Sequence, residues 1–155
     1  LLSNTADQYL KEKMAKYKIE PYTIIKLFVK HSEVPLYMGL ADFAISPVKP
    51  VPTKRYCTPI KDGEYWGMGL PVVIPPDISV DSDIIKENRA GAILQGFDGI
   101  AYTDAAEEID AIIKGKSRLE IYNQIRPLAE KYRDFSIAEE VYRKIYSSTD
   151  KPNVN

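Results

Sequence analysis

Short apolar segments alternate with helix-forming segments along most of this 155-residue chain. Four of the apolar segments have the length of a strand, namely 22–29, 41–48, 70–75 and 91–95. Buried strands that are separated by helices indicate a parallel sheet covered on both faces. We therefore predict an α/β fold: a Rossmann-like open parallel sheet with helices on both faces. Ligands of such sheets bind where the strands reach their carboxyl ends.

The helices are predicted from apolar spacing and from start signals. Predicted helical segments are 5–17, 34–41, 59–69, 80–90, a helix that begins at 104, 117–132 and 137–146. Predicted caps are Ser32, Asp81 or Ser82, and two pairs with capping-box spacing, Asp104 with Glu107 and Ser136 with Glu139. Pro127 is expected to interrupt its helix. The first residues resemble the tail of a strand that begins upstream, and 147–155 are expected to be disordered.

The composition excludes several classes of function. Lys and Arg number 21 against 22 Asp and Glu, for a net charge of −1, so a nucleic-acid-binding surface is not predicted. The single Cys57 and the single His31 leave no cluster with metal-ligand spacing. No apolar run reaches the roughly 18 residues of a membrane span. We predict a cytoplasmic protein, with peripheral attachment to the inner membrane as an alternative for the full-length enzyme.

The segment TPIKDGEY, 58–65, carries the best local hint of function. Thr58 as N-cap and Pro59 at the first helical position predict a helix start, where free N–H groups suit a phosphate. Lys61 is unfavourable in a first turn unless an anion lies nearby. Glu64 lies about one turn further and could accept hydrogen bonds from ribose hydroxyls. A surface ion pair between Lys61 and Glu64 is the alternative.

The segment SPVKPVPTKRYCTPIKDGEYWGMGLPVVI, 46–74, resembles the donor-binding lobe of two-lobed (GT-B) retaining glycosyltransferases of the group 1, family 4-like type. In that family the segment typically reads S-P-x-K-x-G-E-Y-x-A-x-G-x-P-V-I. The matching positions are Pro59, Lys61, Gly63, Glu64, Tyr65, Gly69, Pro71 and Val72. The helix and strand before this segment, the helix and strand after it and the closing helices are also similar.

This resemblance implies a hexosyltransferase of carbohydrate biosynthesis whose donor is a UDP-, GDP- or ADP-sugar, with no metal and no other cofactor. Glu64 would bind the donor ribose, while Lys61 and the backbone of Cys57, Thr58 and Ile60 would face the diphosphate or the sugar. The loop with Lys30 and His31 would lie near the base. The resemblance assigns no catalytic residue.

The resemblance also predicts the domain organisation. Residues 1–134 would form the donor-binding lobe without its first βα unit, and 135–155 a helix and tail that cross to an N-terminal acceptor lobe outside this chain. Such a fragment would bind the donor and transfer nothing by itself. Tyr56 occupies the position of the family's first Glu, so a role for that carboxylate does not carry over. The alternative function is a non-catalytic α/β module for nucleotide binding or protein interaction.

Overall fold

The structure is a computed structural model that describes residues 2–3 and 5–149, the last two of these by their backbone alone. The fold is mixed α/β with short parallel sheets. The chain divides into two compact units, Leu1–Leu40 and Ala41–Asn155, and each is described by itself. Within the described residues, no helix combines the length and the apolar character needed to cross a membrane.

The first unit contains a two-stranded parallel sheet and two α-helices. Its elements are β1 (Leu2–Ser3), α1 (Asp7–Tyr17), a 3-10 helix (Glu20–Tyr22), β2 (Lys26–Leu27), a 3-10 helix (His31–Glu33) and α2 (Val34–Met38). β1 pairs with β2, which confirms the strand predicted at the N-terminus. The helix predicted at 5–17 is also confirmed.

Two predictions for the first unit need correction. The strand predicted over 22–29 is reduced to two residues, because a 3-10 turn occupies its start and Phe28 has a left-handed φ of 54°. Ser32 does not cap α2. It lies inside the preceding 3-10 helix, and the N-cap position is Glu33, which makes no side-chain capping bond.

The second unit contains a three-stranded parallel sheet and five α-helices. Its elements are β3 (Ala44–Ile45), a 3-10 helix (Pro52–Tyr56), α3 (Ile60–Gly67), β4 (Val72–Ile74), α4 (Asp81–Asn88), β5 (Gly91–Ile93), α5 (Gly99–Ile113), α6 (Arg118–Arg133) and α7 (Phe135–Thr149). The strand order is β3-β4-β5, with Val72 opposite both Ala44 and Gly91. The loops after all three strands therefore leave from one edge of this sheet.

The core of the second unit lies around β4. Val72, Val73 and Ile74 are all buried, although neighbouring side chains of a strand point to opposite faces. Both faces of this strand are therefore covered. One covering layer is α5, whose Ala101 and Ile109 join Val73 in an apolar cluster. α6 packs antiparallel to α3, since Gly63 lies against Arg133 and Gly69 against Tyr122.

Several helix starts in the second unit differ from the predicted ones. α4 follows Val80 as N-cap, and Ser82 instead accepts a bond from the Ile78 N–H at 3.0 Å and donates to the Pro75 carbonyl at 2.9 Å. α5 begins six residues before the predicted Asp104. Its cap is Asp98, because this carboxylate accepts bonds from two free N–H groups of the first turn.

The last two helices also correct the sequence reading. α6 does begin after Ser117, which forms a capping box with Glu120, but it continues through Pro127. The proline lies on the exposed side of the helix, where water can satisfy the freed carbonyl group. α7 begins before Ser136, whose N–H bonds Asp134 at 2.7 Å. The predicted disordered tail is helical as far as Thr149, and its remainder lies outside the described residues.

Candidate functional site

The loop after β3 is tied to the loop after β4. The hydroxyl groups of Thr58 and Ser79 are 2.7 Å apart, and Arg55 pairs with Asp77 at 2.8 Å. The backbone adds a bond from the Ser79 N–H to the Lys54 carbonyl at 3.0 Å. Three contacts over a few residues hold the start of α3 at the carboxyl edge of the sheet.

The start of α3 differs in one detail from the prediction. Its N-cap is Pro59, and no side chain caps the helix. Thr58 is therefore not the cap: its hydroxyl group contacts Ser79 instead. Because no side chain takes the first N–H groups of the helix, this end keeps the partial positive charge of a helix N-terminus.

An open cleft of about 490 Å³ lies between the start of α3 and the end of α6. Thr58, Ile60 and Glu64 line it on one side, and residues between Arg126 and Asp134 line the other. Lys61 does not line this cleft, although it lies only three residues from Glu64. The structure therefore brings together three of the predicted site residues and leaves Lys61 outside their cleft.

The cations on the α6 side of the cleft are held by contacts within the protein. Arg126 donates to the Gly67 carbonyl at 3.2 Å and to the Tyr122 hydroxyl at 2.6 Å, and it pairs with Glu130 at 3.2 Å. Arg133 pairs with a buried carboxylate behind the cleft. What the cleft offers a ligand is mainly the Glu64 carboxylate and the uncapped helix end, which suits hydroxyl groups beside an anion.

A buried polar cluster supports this cleft from behind. Asp62 and Asp81 are both fully buried, and Arg133 forms an ion pair with Asp81. Gly63 makes room for the arginine, because a Cβ atom at that position would lie 2.8 Å from its Cγ. The guanidinium also lies over the ring of Trp66, 5.3 Å from the centroid. The cluster joins α3, α4 and α6 at one point.

Asp62 is the least satisfied member of this buried cluster. Both of its oxygens are buried without a hydrogen-bond partner of good geometry among the described residues. Burial raises its pKa to about 6, with a further upward contribution from Asp81, while the Ser46 hydroxyl and Arg133 act in the opposite direction. Folding therefore favours the protonated form of this carboxyl group.

We expect Asp62→Asn to remove a pH dependence of stability. With a pKa of 3.8 when unfolded and about 6 when folded, Asp62 holds its proton more tightly in the native state. The free energy of unfolding should then fall by about 3 kcal/mol as the pH rises from 4 to 7. Urea unfolding across this range, followed by the emission of Trp66, should show this loss in the parent chain and much less of it in the variant.

The control for this prediction is Asp83→Asn, which neutralises an exposed carboxylate on α4. It should leave the pH dependence as in the parent chain. An equal fall in the free energy of unfolding for the parent and for Asp62→Asn would contradict the assignment.

The remaining predicted site residues lie at varied places. Cys57 is exposed on the loop before α3, with the Lys54 amine 4.0 Å from its sulfur. Lys30 and His31 belong to the first unit, where His31 begins a 3-10 helix. Their proposed position near a base stays a prediction. Among the described residues, no group of His, Cys, Asp and Glu side chains could hold a metal ion.

The sequence reading missed the α6 side of the cleft and the buried cluster. Arg133 lies 52 residues from its partner Asp81, and such a separation leaves no local signal. Asp62 did carry one, because it lies one turn before Trp66 on the side of α3 that faces the core. Comparison of the chain with family profiles, with curated proteins and with solved structures finds no match.

Proposed function

We propose that this chain is the donor-binding half of a retaining glycosyltransferase, and that the cleft between α3 and α6 takes the nucleotide end of a nucleotide-diphosphate sugar. The observation that carries the proposal is that Glu64, Thr58 and the uncapped start of α3 meet at one open cleft. A carboxylate beside a helix N-terminus is suited to a ribose that is joined to a diphosphate.

The fold of the second unit is compatible with this function. Parallel strands in sequential order, with β4 covered on both faces, agree with part of a Rossmann-like open sheet. The cleft is next to the loop that follows β3, and ligands of such sheets bind at this edge. The contacts between the loops after β3 and β4 would keep the helix end in place before the donor arrives.

In this proposal each group has a defined role. Glu64 accepts hydrogen bonds from the ribose hydroxyls, and the N–H groups at the start of α3 stabilise the phosphate charge that grows as the nucleoside diphosphate leaves. Lys61 is exposed in the first turn of α3 and would approach the diphosphate from outside the cleft. Sugar transfer would also need an acceptor lobe from outside this chain, so the chain alone would bind the donor without transferring its sugar.

Glu64→Ala should abolish or strongly weaken the binding of nucleoside diphosphates. Hydrogen bonds to a charged acceptor contribute about 1.5–3 kcal/mol each, so one such loss weakens binding by roughly 10- to 100-fold. Titration calorimetry with UDP, GDP and ADP measures this directly. Glu108→Ala on α5 is the matched control, because it removes an equally exposed helical carboxylate away from the cleft.

The outcome also separates the two candidate functions. Binding of a nucleoside diphosphate that depends on Glu64 supports the donor-binding lobe. If none of the three binds the parent chain, or if Glu64→Ala binds as the parent does, the proposal is wrong. The non-catalytic module is then the better description of the chain.

A further inference from the structure

The helix α7 carries a broad apolar face that is exposed. Its side chains lie on one side of the helix, because their spacing of one, three and four residues follows the helical period. They are Phe135, Ile137, Ala138, Val141, Tyr142, Ile145 and Tyr146. Of these, only Ala138 is not classed as exposed, and Val141 and Tyr142 at the middle keep 52% and 57% of their surface accessible.

The polar side of α7 carries two acidic residues followed by two basic residues. Glu139 and Glu140 lie in its first half, and Arg143 and Lys144 in its second half. Within one helix they form i, i+4 pairs, Arg143 with Glu139 at 2.7 Å and Lys144 with Glu140 at 2.6 Å. These four charges sum to zero, so this helix gains little from an anionic membrane surface.

The order of these residues is the same when α7 is read backwards by type. A two-fold axis between Val141 and Tyr142 would place Glu139 opposite Lys144 and Glu140 opposite Arg143. It would also place Ile137 opposite Tyr146 and Ala138 opposite Ile145, so apolar residues would meet apolar residues. Only an antiparallel pair of the same helix has this match, since a parallel pair in register would bring like charges together.

We propose that α7 docks against α7 of a second copy of this chain, antiparallel, with the two-fold axis between Val141 and Tyr142. The apolar faces would be buried between the two helices, and the acidic half of each helix would flank the basic half of the other. This inference does not rest on the proposed function. It differs from the arrangement implied by the family resemblance, in which the same helix crosses to another lobe.

The association can be tested with charge exchanges that leave the apolar face intact. Variant one, E139K/E140K, has only basic residues at the four positions, and variant two, R143E/K144E, only acidic ones. Each pairing with itself turns four attractions into four repulsions, and the dissociation constant should rise at least about tenfold. An equimolar mixture of the two variants should associate again, because all-basic and all-acidic helices are complementary.

Two controls keep the test specific. The fourfold exchange E139K/E140K/R143E/K144E restores the antiparallel match and should associate like the parent chain. The pair E107K/E108K changes the net charge as variant one does, but on exposed positions of α5, and it should have no effect. Circular dichroism and Trp66 emission should remain as in the parent chain for every variant, since the exchanges lie on exposed positions.

Sedimentation equilibrium gives the readout, because a dimer has twice the 17.6 kDa mass of the chain. A contact of one 15-residue helix per copy is small, so chain concentrations up to about 500 µM should be covered. A parent chain that stays monomeric over this range overturns the proposal. It is also overturned if the charge exchanges leave association unchanged, if mixing the variants restores nothing, or if neutral lipid vesicles bind a monomeric chain through α7.

Discussion

Arg133→Met should lower the free energy of unfolding of the second unit by about 3–5 kcal/mol at pH 7. The substitution keeps an apolar stem beside Trp66 but removes the guanidinium that faces two fully buried carboxylates, Asp62 and Asp81. A buried charge left without its partner is one of the costliest changes in a folded protein. Urea unfolding followed by Trp66 emission measures the loss.

The loss caused by Arg133→Met should depend on pH. Near pH 4 the carboxyl group of Asp62 is protonated in the folded state, because its pKa is raised to about 6, so fewer negative charges need compensation. The cost of the substitution should therefore be smaller at pH 4 than at pH 7. Lys131→Met removes an exposed cation of the same helix and should cost little at either pH.

A triple variant tests the reason for this loss. Replacing Asp62 and Asp81 by asparagine together with Arg133→Met removes the charges of the cluster and leaves polar groups of similar size. It should recover much of the lost stability at pH 7. The same loss at both pH values, without recovery in the triple variant, would mean that packing of the arginine and not its charge supports the cluster.

Gly91→Ala should prevent β5 from pairing with β4 as it does in the native sheet. Gly91 lies opposite Val72, and a Cβ atom would overlap the carbonyl oxygen of Val72 and come within 2.6 Å of its nitrogen. These are backbone atoms of the central strand, so neither can move without breaking the sheet. We expect a loss of about 4 kcal/mol or more, which is large for one methyl group.

Thermal and urea unfolding, again followed by Trp66, measure the effect of Gly91→Ala. Gly99→Ala is the matched control, because a Cβ atom there meets nothing within 4 Å at the start of α5. A stable Gly91→Ala variant would show that the register of β4 and β5 differs from the one described.

Element types were predictable from the sequence, while element lengths and helix starts were less so. The alternation of β-branched runs with helical periods locates α1, α3, α4 and α6 and the strands β3, β4 and β5. Asp98 was missed as a cap because Asp104 with Glu107 has the same local spacing. Nothing in the sequence around Asp104 shows that the helix has already begun, since the choice between two such signals depends on tertiary packing.

The site was predictable only where it lies on one continuous segment. Thr58, Ile60 and Glu64 fall within seven residues, and the pattern of that segment indicated a common site. Lys61 was grouped with them by its spacing from Glu64, but the cleft lies on the α6 side of Glu64 and excludes it. The packing of α6 antiparallel to α3 decided this, and no local pattern encodes which distant helix packs there.

The exposed Cys57 on the loop before α3 has a practical consequence. It is the only thiol in the chain, and it directly precedes Thr58 at the rim of the cleft. A maleimide fluorophore therefore attaches at one defined place without any engineering. Its emission becomes a local sensor of what occupies the cleft, and energy transfer from Trp66 beneath supplies an internal ruler.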